Sequence, residues 1–295
     1  MIRVRGLQKS YGSHRAVDGL DLQVEKGELL GLLGPNGAGK TTTISCVVGV
    51  LKIDQGEIEL FDGGSPDDPD TRARLGVAPQ SLALHTELTG LENLRFFGRL
   101  QGLAGKTLQT AAERALDQVG LLDRGKDLTG GYSGGMKRRL NLACALVHEP
   151  ELIFLDEPTA GVDPQARNLL FDVVKRLKDA GTTVVYTTHL MEEVERLCDR
   201  VVIIDHGKTI AEGTVDGLID QHGGLSMVEF EFEDGADLSG LPDPTTDGLV
   251  LVSTSDPGAE LARIAGRGGV RSARVRRPDL QHVFLELTGR ELRDS

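Results

Sequence analysis

Tryptophan is absent from this chain of 295 residues, and tyrosine occurs only three times. Cysteine is equally scarce: Cys46, Cys144 and Cys198 lie far apart, without CxxC or metal-ligand spacing. That excludes a disulfide framework and a thiolate zinc site, and predicts buried, reduced thiols. No run approaches the ~18 consecutive apolar residues that a membrane span requires. The opening MIRVRGLQKSYG lacks the apolar segment of a signal peptide. The expectation is a cytosolic compartment, with any membrane role held through a partner. A surplus of positive charge is missing too. With 33 basic against 45 acidic residues the formal net charge is −12, which argues against broad electrostatic adhesion to nucleic acid, and no such partner is expected.

What is present first is a set of short apolar runs, each ahead of a helical pattern: ELLGLLG (28–34), ELIFLDE (151–157), TTVVYTT (182–188) and RVVIIDHG (200–207). Continuous apolar runs of this length suit strands covered on both faces, so an α/β fold with a mainly parallel sheet is predicted. Between about 84 and 146 the strand signal stops. LENLRFFGRLQGL and LQTAAERALDQVGLL carry apolar residues at helical spacing, which predicts a helical insertion. After Gln221-His222-Gly223-Gly224 the texture changes again, through alternating SMVEFEFE, β-like GLVLVSTS, helical PGAELARIAG, β-like VRSARVRR and helical LQHVFLELTGREL. A βαβ-type α+β accessory domain over 223–295, joined at a glycine pair to a first domain over 1–222, fits this pattern.

The stretch GPNGAGKT, Gly34 to Thr41, matches GxxxxGK[ST] and lies between a buried strand and the apolar helix TTTISCVVGVL. Gly34, Pro35, Asn36, Gly37, Ala38 and Gly39 form a loop that can turn backbone N–H groups toward a polyphosphate. Lys40 can reach the β and γ phosphates, Thr41 can ligate Mg²⁺ beside Thr42, and the helix start adds positive potential. A nucleotide and Mg²⁺ are the expected cofactors. Hydrolysis needs more, and ELIFLDEPTAGVD (151–163) carries it. An acidic pair at the end of a buried strand needs partners for its charges, and Mg²⁺ is the natural one. Asp156 is the expected Mg²⁺-side carboxylate, and Glu157 is left to orient and deprotonate the attacking water. His189 ends the next strand, where α/β folds hold ligands, and is expected at the γ-phosphate. Gln80, in LGVAPQSLALHTELTG, stands between sheet and helical insertion, and its amide can contact Mg²⁺ or water. Tyr11 can stack on adenine or pack on its own loop; the residues alone leave both open.

GPNGAGKTT, Gln80, YSGGM, LIFLDEPTAGVD and TTH, in this order and spacing, together resemble the ATP-binding-cassette (ABC) ATPases over residues 1 to about 222. The resemblance implies a P-loop core sheet, an N-terminal antiparallel β portion fitting IRVRGLQKSYG and LQVEKGE, and a helical subdomain over about 84–146. It also implies that Tyr11 stacks on adenine with Val17 nearby. The family signature is usually LSGGQ; here Tyr132 and Met136 replace the end residues while Ser133, Gly134 and Gly135 remain. The YSGGM form is similar to ATPase subunits of drug, antibiotic or polysaccharide exporters, especially the daunorubicin-resistance type. By the same resemblance two ATPase domains, most simply two copies, pack head to tail. Ser133, Gly134 and Gly135 of one then meet the γ-phosphate held by Lys40 of the other, and the loop from Ala160 to Asp163 crosses the interface.

An exporter ATPase at the cytoplasmic face of the cell membrane, coupled to a separate integral permease, is therefore the leading expectation. LTGLENLRFFGRL (88–100), near Gln80, offers apolar residues for a permease helix, although Phe96 and Phe97 can equally be core. A soluble ABC ATPase acting on ribosomes or DNA fits less well, because such proteins resemble fused cassettes or carry a long coiled-coil insert. A nucleotide-binding subunit without turnover conflicts with the presence of Glu157 and His189.

Overall fold

The computed structural model describes residues 1–289. The chain divides into two compact units, 1–215 and a second from Asp216 onward. The first runs through β1 (Ile2–Tyr11), β2 (His14–Val24), β3 (Leu29–Leu33), α1 (Lys40–Val47), β4 (Gln55–Leu60), the single turn α2 (Pro69–Arg72) and β5 (Leu75–Ala78). It continues with α3 (Gly90–Leu100), α4 (Gly105–Gln118), α5 (Gly134–Leu146), β6 (Leu152–Asp156), α6 (Pro164–Asp179), β7 (Thr183–Thr188), α7 (Met191–Leu197), β8 (Arg200–Asp205) and β9 (Lys208–Gly213).

The main sheet has the order β5-β6-β7-β3-β8-β9 and is parallel except for β9. The four apolar runs seen in the sequence are its four inner strands. Successive side chains on a strand point to opposite faces, and here both faces are dry. Leu30, Leu32, Phe154 and Val185 join one apolar cluster with β1, β2 and α1, while Leu29, Ile153, Leu155 and Val184 join another with α4, α5 and α6. That is why the strands read as continuous apolar runs. A second, antiparallel sheet of order β2-β1-β4 covers the first face. Residues 84–146 hold α3, α4 and α5 and no strand, as the spacing predicts.

Two caps place chain segments that matter below. Ser133 Oγ accepts from the Met136 N–H at 3.2 Å at the start of α5. Asp163 Oδ1 accepts from the Gln165 and Ala166 N–H groups, both at 3.0 Å, with Pro164 in the first position of α6. The second unit contains β10 (Ser226–Phe232), β11 (Leu249–Thr254), α9 (Pro257–Ala265), β12 (Val270–Arg276) and α10 (Leu280–Thr288), after a helix α8 (Val215–His222) at the join. β10 lies between β11 and β12 and is antiparallel to both, so α9 connects two parallel outer strands across it. Val228, Phe230, Val250 and Ile264 form its small core. The expected continuation of the last helix over 290–292 and the remainder of the accessory segment to 295 lie outside the described residues.

Candidate active site

Four neighbouring strands deliver the site from their C-terminal ends. In sheet order, β5 leads to Gln80, β6 ends in Asp156 and Glu157, β7 leads to His189, and β3 leads to the glycine-rich loop. This is the edge at which open α/β sheets hold ligands. The loop is tied from behind: the Ala38 carbonyl accepts from the Gly207 N–H at 3.0 Å, and the Gly207 carbonyl accepts from the Asp18 N–H at 2.8 Å. Gly39, the cap of α1, has φ 104°, and a Cβ there would stand 2.5 Å from the Ala16 carbonyl oxygen. Only glycine lets the chain pass that closely.

Glu157 is the centre of the arrangement. Its φ is +45°, in the left-handed region that non-glycine residues occupy at a cost of ~1–3 kcal/mol. The neighbouring strand holds it there, since its N–H donates to the Thr187 carbonyl at 3.2 Å and to Thr187 Oγ1 at 3.0 Å. The carboxylate, only 8 % exposed, meets Lys40 Nζ at 3.2 Å and His189 Nδ1 at 3.4 Å through Oε1, and accepts from Gln80 Nε2 at 3.0 Å through Oε2. Lys40 Nζ also donates to the carbonyls of Gly34 at 2.7 Å and Pro35 at 3.2 Å. One residue earlier, Asp156 is buried and accepts from Thr187 Oγ1 at 2.6 Å and Thr41 Oγ1 at 2.8 Å.

These groups border a cleft of about 630 Å³. Its walls include Tyr11, His14 and Ala16 on one side, the loop residues Asn36, Gly37 and Gly39 to Thr42 below, and Gln80, Glu157, Ala160 and His189 opposite. Half-exposed Tyr11 presents a ring at the mouth. Val17, expected near the nucleotide, is fully buried and does not line the cleft; successive β2 side chains alternate, so Ala16 takes the cleft wall and Val17 the core. Ser133, Gly134, Gly135 and Asp163 also do not line it. Gly135 instead faces the start of α6: a Cβ on it would lie 2.5 Å from that of Ala166 and 3.7 Å from Asp163 Oδ2, whereas a Cβ on Gly134 would meet nothing within 4 Å. The start of α5 is thus packed on one side and open on the other.

The donor set fits ATP with Mg²⁺. Lys40 is a buried cation whose carboxylate partner a phosphate can replace, and Thr41 and Asp156 present two hard oxygen donors at the helix start, with Gln80 alongside. Among the described residues no group of three His, Cys, Asp or Glu side chains could hold a metal by itself. When bound, Mg²⁺ neutralises charge on the phosphates being separated.

Two buried charges escaped the sequence analysis. Arg138 donates to the carbonyls of Gln80 at 2.5 Å and Ala160 at 3.1 Å, strapping two cleft segments to α5; burial pushes its guanidinium pKa down. Its i+3 and i+7 spacing from Gly135 to Leu142 puts it on the buried face, a signal hidden inside the basic run Lys137–Arg139. Glu193, in the first turn of α7, is 1 % exposed, and its i+4 neighbour Leu197 marks the same inward face.

Residues 17–160 match the family described as ABC transporter. The linearmycin resistance ATP-binding protein LnrL of Bacillus subtilis (strain 168) is 40 % identical over 313 residues, covering 100 % of both chains. The daunorubicin/doxorubicin resistance ATP-binding protein DrrA of Streptomyces peucetius is 41 % identical, covering 98 % of this chain and 92 % of its own. Among solved structures, a dimeric ATP-binding cassette in a post-hydrolysis state bound to ADP and Pi superposes with a TM-score of 0.66 at 25 % identity, covering 72 % of this chain and 98 % of that one.

Proposed function

The chain belongs to the ABC transporter family as an ATP-binding, ATP-hydrolysing subunit, and on that premise we propose that it powers export through a separate membrane permease, working as a homodimer. Lys40 and the loop amides bind the β and γ phosphates, Thr41, Asp156 and Gln80 hold Mg²⁺, and Tyr11 stacks on adenine. Glu157 orients the attacking water and takes its proton, with His189 at the γ-phosphate. The observation that carries this reading is the convergence of Lys40, Gln80 and His189 on one buried carboxylate at the wall of the cleft.

Ser133, Gly134, Gly135 and Asp163 stand off that cleft, which supports a site completed by the signature of a second copy. The open face of Gly134 at a helix start suits a phosphate brought from outside. Among the described residues no helix is long and apolar enough to cross a membrane, so transport requires an integral partner, met at the cytoplasmic face. A groove of about 250 Å³ suits it, with Val50, Val77, Pro79, Phe97 and Leu100 in its walls and Gln80 following Pro79 in the chain. Phe97 packs partly on the core, while Phe96, edge-on to His85 at 4.7 Å, is more exposed. The names of LnrL and DrrA support an antibiotic or other drug as cargo, while relatives of equal identity named for Nod factor export leave room for another substrate. Purification of the tagged chain from native membranes tests this: a co-purifying polytopic membrane protein is expected, and ribosomes or DNA in its place would overturn the reading.

A further inference from the structure

An ionised carboxylate is costly to bury unless several donors satisfy it. Glu193 is satisfied by three hydroxyls: Thr159 Oγ1 at 2.6 Å, Tyr186 Oη at 3.0 Å and Thr188 Oγ1 at 2.8 Å, with Arg167 Nε 3.8 Å away. Burial and the Glu193 charge push the Tyr186 pKa well above the usual phenol range, so this hydroxyl stays a donor. The three donors come from functionally different places. Thr188 precedes His189, and its Oγ1 also accepts from the Leu190 N–H at 2.9 Å, so the backbone is fixed on both sides of the histidine. Thr159 precedes Ala160, a cleft-wall residue whose carbonyl Arg138 holds from the other side. Tyr186 lies inside β7; its hydroxyl meets Glu193 and also the Thr159 side chain, and Thr159 keeps its own bond to the carboxylate without it.

We propose that Glu193 is a positioning residue for hydrolysis: one buried carboxylate sets the His189 backbone and the entry to the 160–163 loop in register, so the γ-phosphate contact and the subunit-crossing loop move as a unit. The inference rests on the roles proposed for His189 and that loop. All three partners donate to the carboxylate; an amide of equal size turns one acceptor into a donor, so at least one hydroxyl must reverse its bond or lose it.

The test separates positioning from simple stabilisation by cutting the arms one at a time. Steady-state ATP turnover and Tm are measured for Tyr186→Phe, Thr188→Val, Thr159→Val and Glu193→Gln in the full chain. Thr188→Val, Thr159→Val and Glu193→Gln are expected to lower kcat by ~10- to 100-fold with KM for ATP nearly unchanged, the scale of a misplaced catalytic group. Tyr186→Phe is expected to lower Tm as much as the threonine variants while keeping kcat. Activity that follows Tm across all four variants would overturn the proposal, as would unchanged kcat in Thr188→Val and Thr159→Val. His189→Ala is run in parallel: if it retains full turnover, the assignment of His189 fails, and the inference with it.

Discussion

Replacing Glu157 by Gln removes one negative charge from the centre of the site at almost constant volume. Lys40 Nζ lies 3.2 Å from the carboxylate, and both side chains are under a tenth exposed. At an effective dielectric constant of ~20, unit charges at that distance attract by about 5 kcal/mol. The amide recovers part of this through neutral hydrogen bonds of about 1 kcal/mol each, and Lys40 keeps its two carbonyl partners. A net loss of about 3 kcal/mol follows for the nucleotide-free protein, at the lower end of the ~3–5 kcal/mol for breaking a buried pair. In a domain of this size that is a fall in Tm of roughly 6–12 °C. Phosphate oxygens beside Lys40 replace the lost charge, so ATP with Mg²⁺ should raise Tm more in the variant than in the parent. Turnover should meanwhile fall by ~10²–10⁴, the weight of a general base. Thermal melts with and without nucleotide, paired with phosphate-release kinetics, read both. Unchanged turnover together with equal nucleotide-induced shifts would refute the reasoning.

Ser133→Arg should block ATP-dependent dimerisation, read by light scattering, and leave nucleotide binding by the monomer intact, because Ser133 does not border the cleft of its own chain. Tyr11→Ala should weaken ATP binding by roughly 5- to 150-fold in a titration, the value of ~1–3 kcal/mol of base stacking. Gly39→Ala should abolish binding, since a Cβ at φ 104° would lie 2.5 Å from the Ala16 carbonyl oxygen. His148 Nε2–H donates to the Leu75 carbonyl at 2.9 Å, and burial lowers its pKa from 6.5. The folded state therefore takes up this proton less readily than the unfolded chain, and stability present above pH 6.5 is lost as pH falls below it. In melts, the Tm advantage of the parent over His148→Gln should shrink between about pH 7.5 and about pH 5.5.

The inner strands were legible because burial on both faces writes them as unbroken apolar runs, and the phosphate loop because its glycines answer to a close backbone approach. β5 was not. Leu75–Ala78 has four residues, one of them Gly76, whose absent Cβ makes room for the Ala145 carbonyl oxygen. Strand alternation puts Val17 in the core and its neighbour Ala16 on the cleft wall. Arg138 and Glu193 were hidden for a different reason. Charged residues on helices are solvated unless tertiary partners exist, and those partners lie on other elements: the carbonyls of Gln80 and Ala160 for Arg138, and for Glu193 the hydroxyl of Thr159 and those of Tyr186 and Thr188 on β7. Phe96 and Phe97, adjacent in sequence, divide between surface and core because neighbours on α3 point about a quarter turn apart.

The central claim is that each ATP lies between Lys40 of one subunit and Ser133 of the other. Mixing Lys40→Ala subunits with Ser133→Arg subunits tests it most directly, because either parent alone offers only damaged sites. In a mixed dimer the intact loop of one chain would face the intact signature of the other. The account predicts that ATP turnover in the mixture rises well above the sum of the two inactive parents. Turnover that stays at that sum, with mixed dimers present, would contradict it.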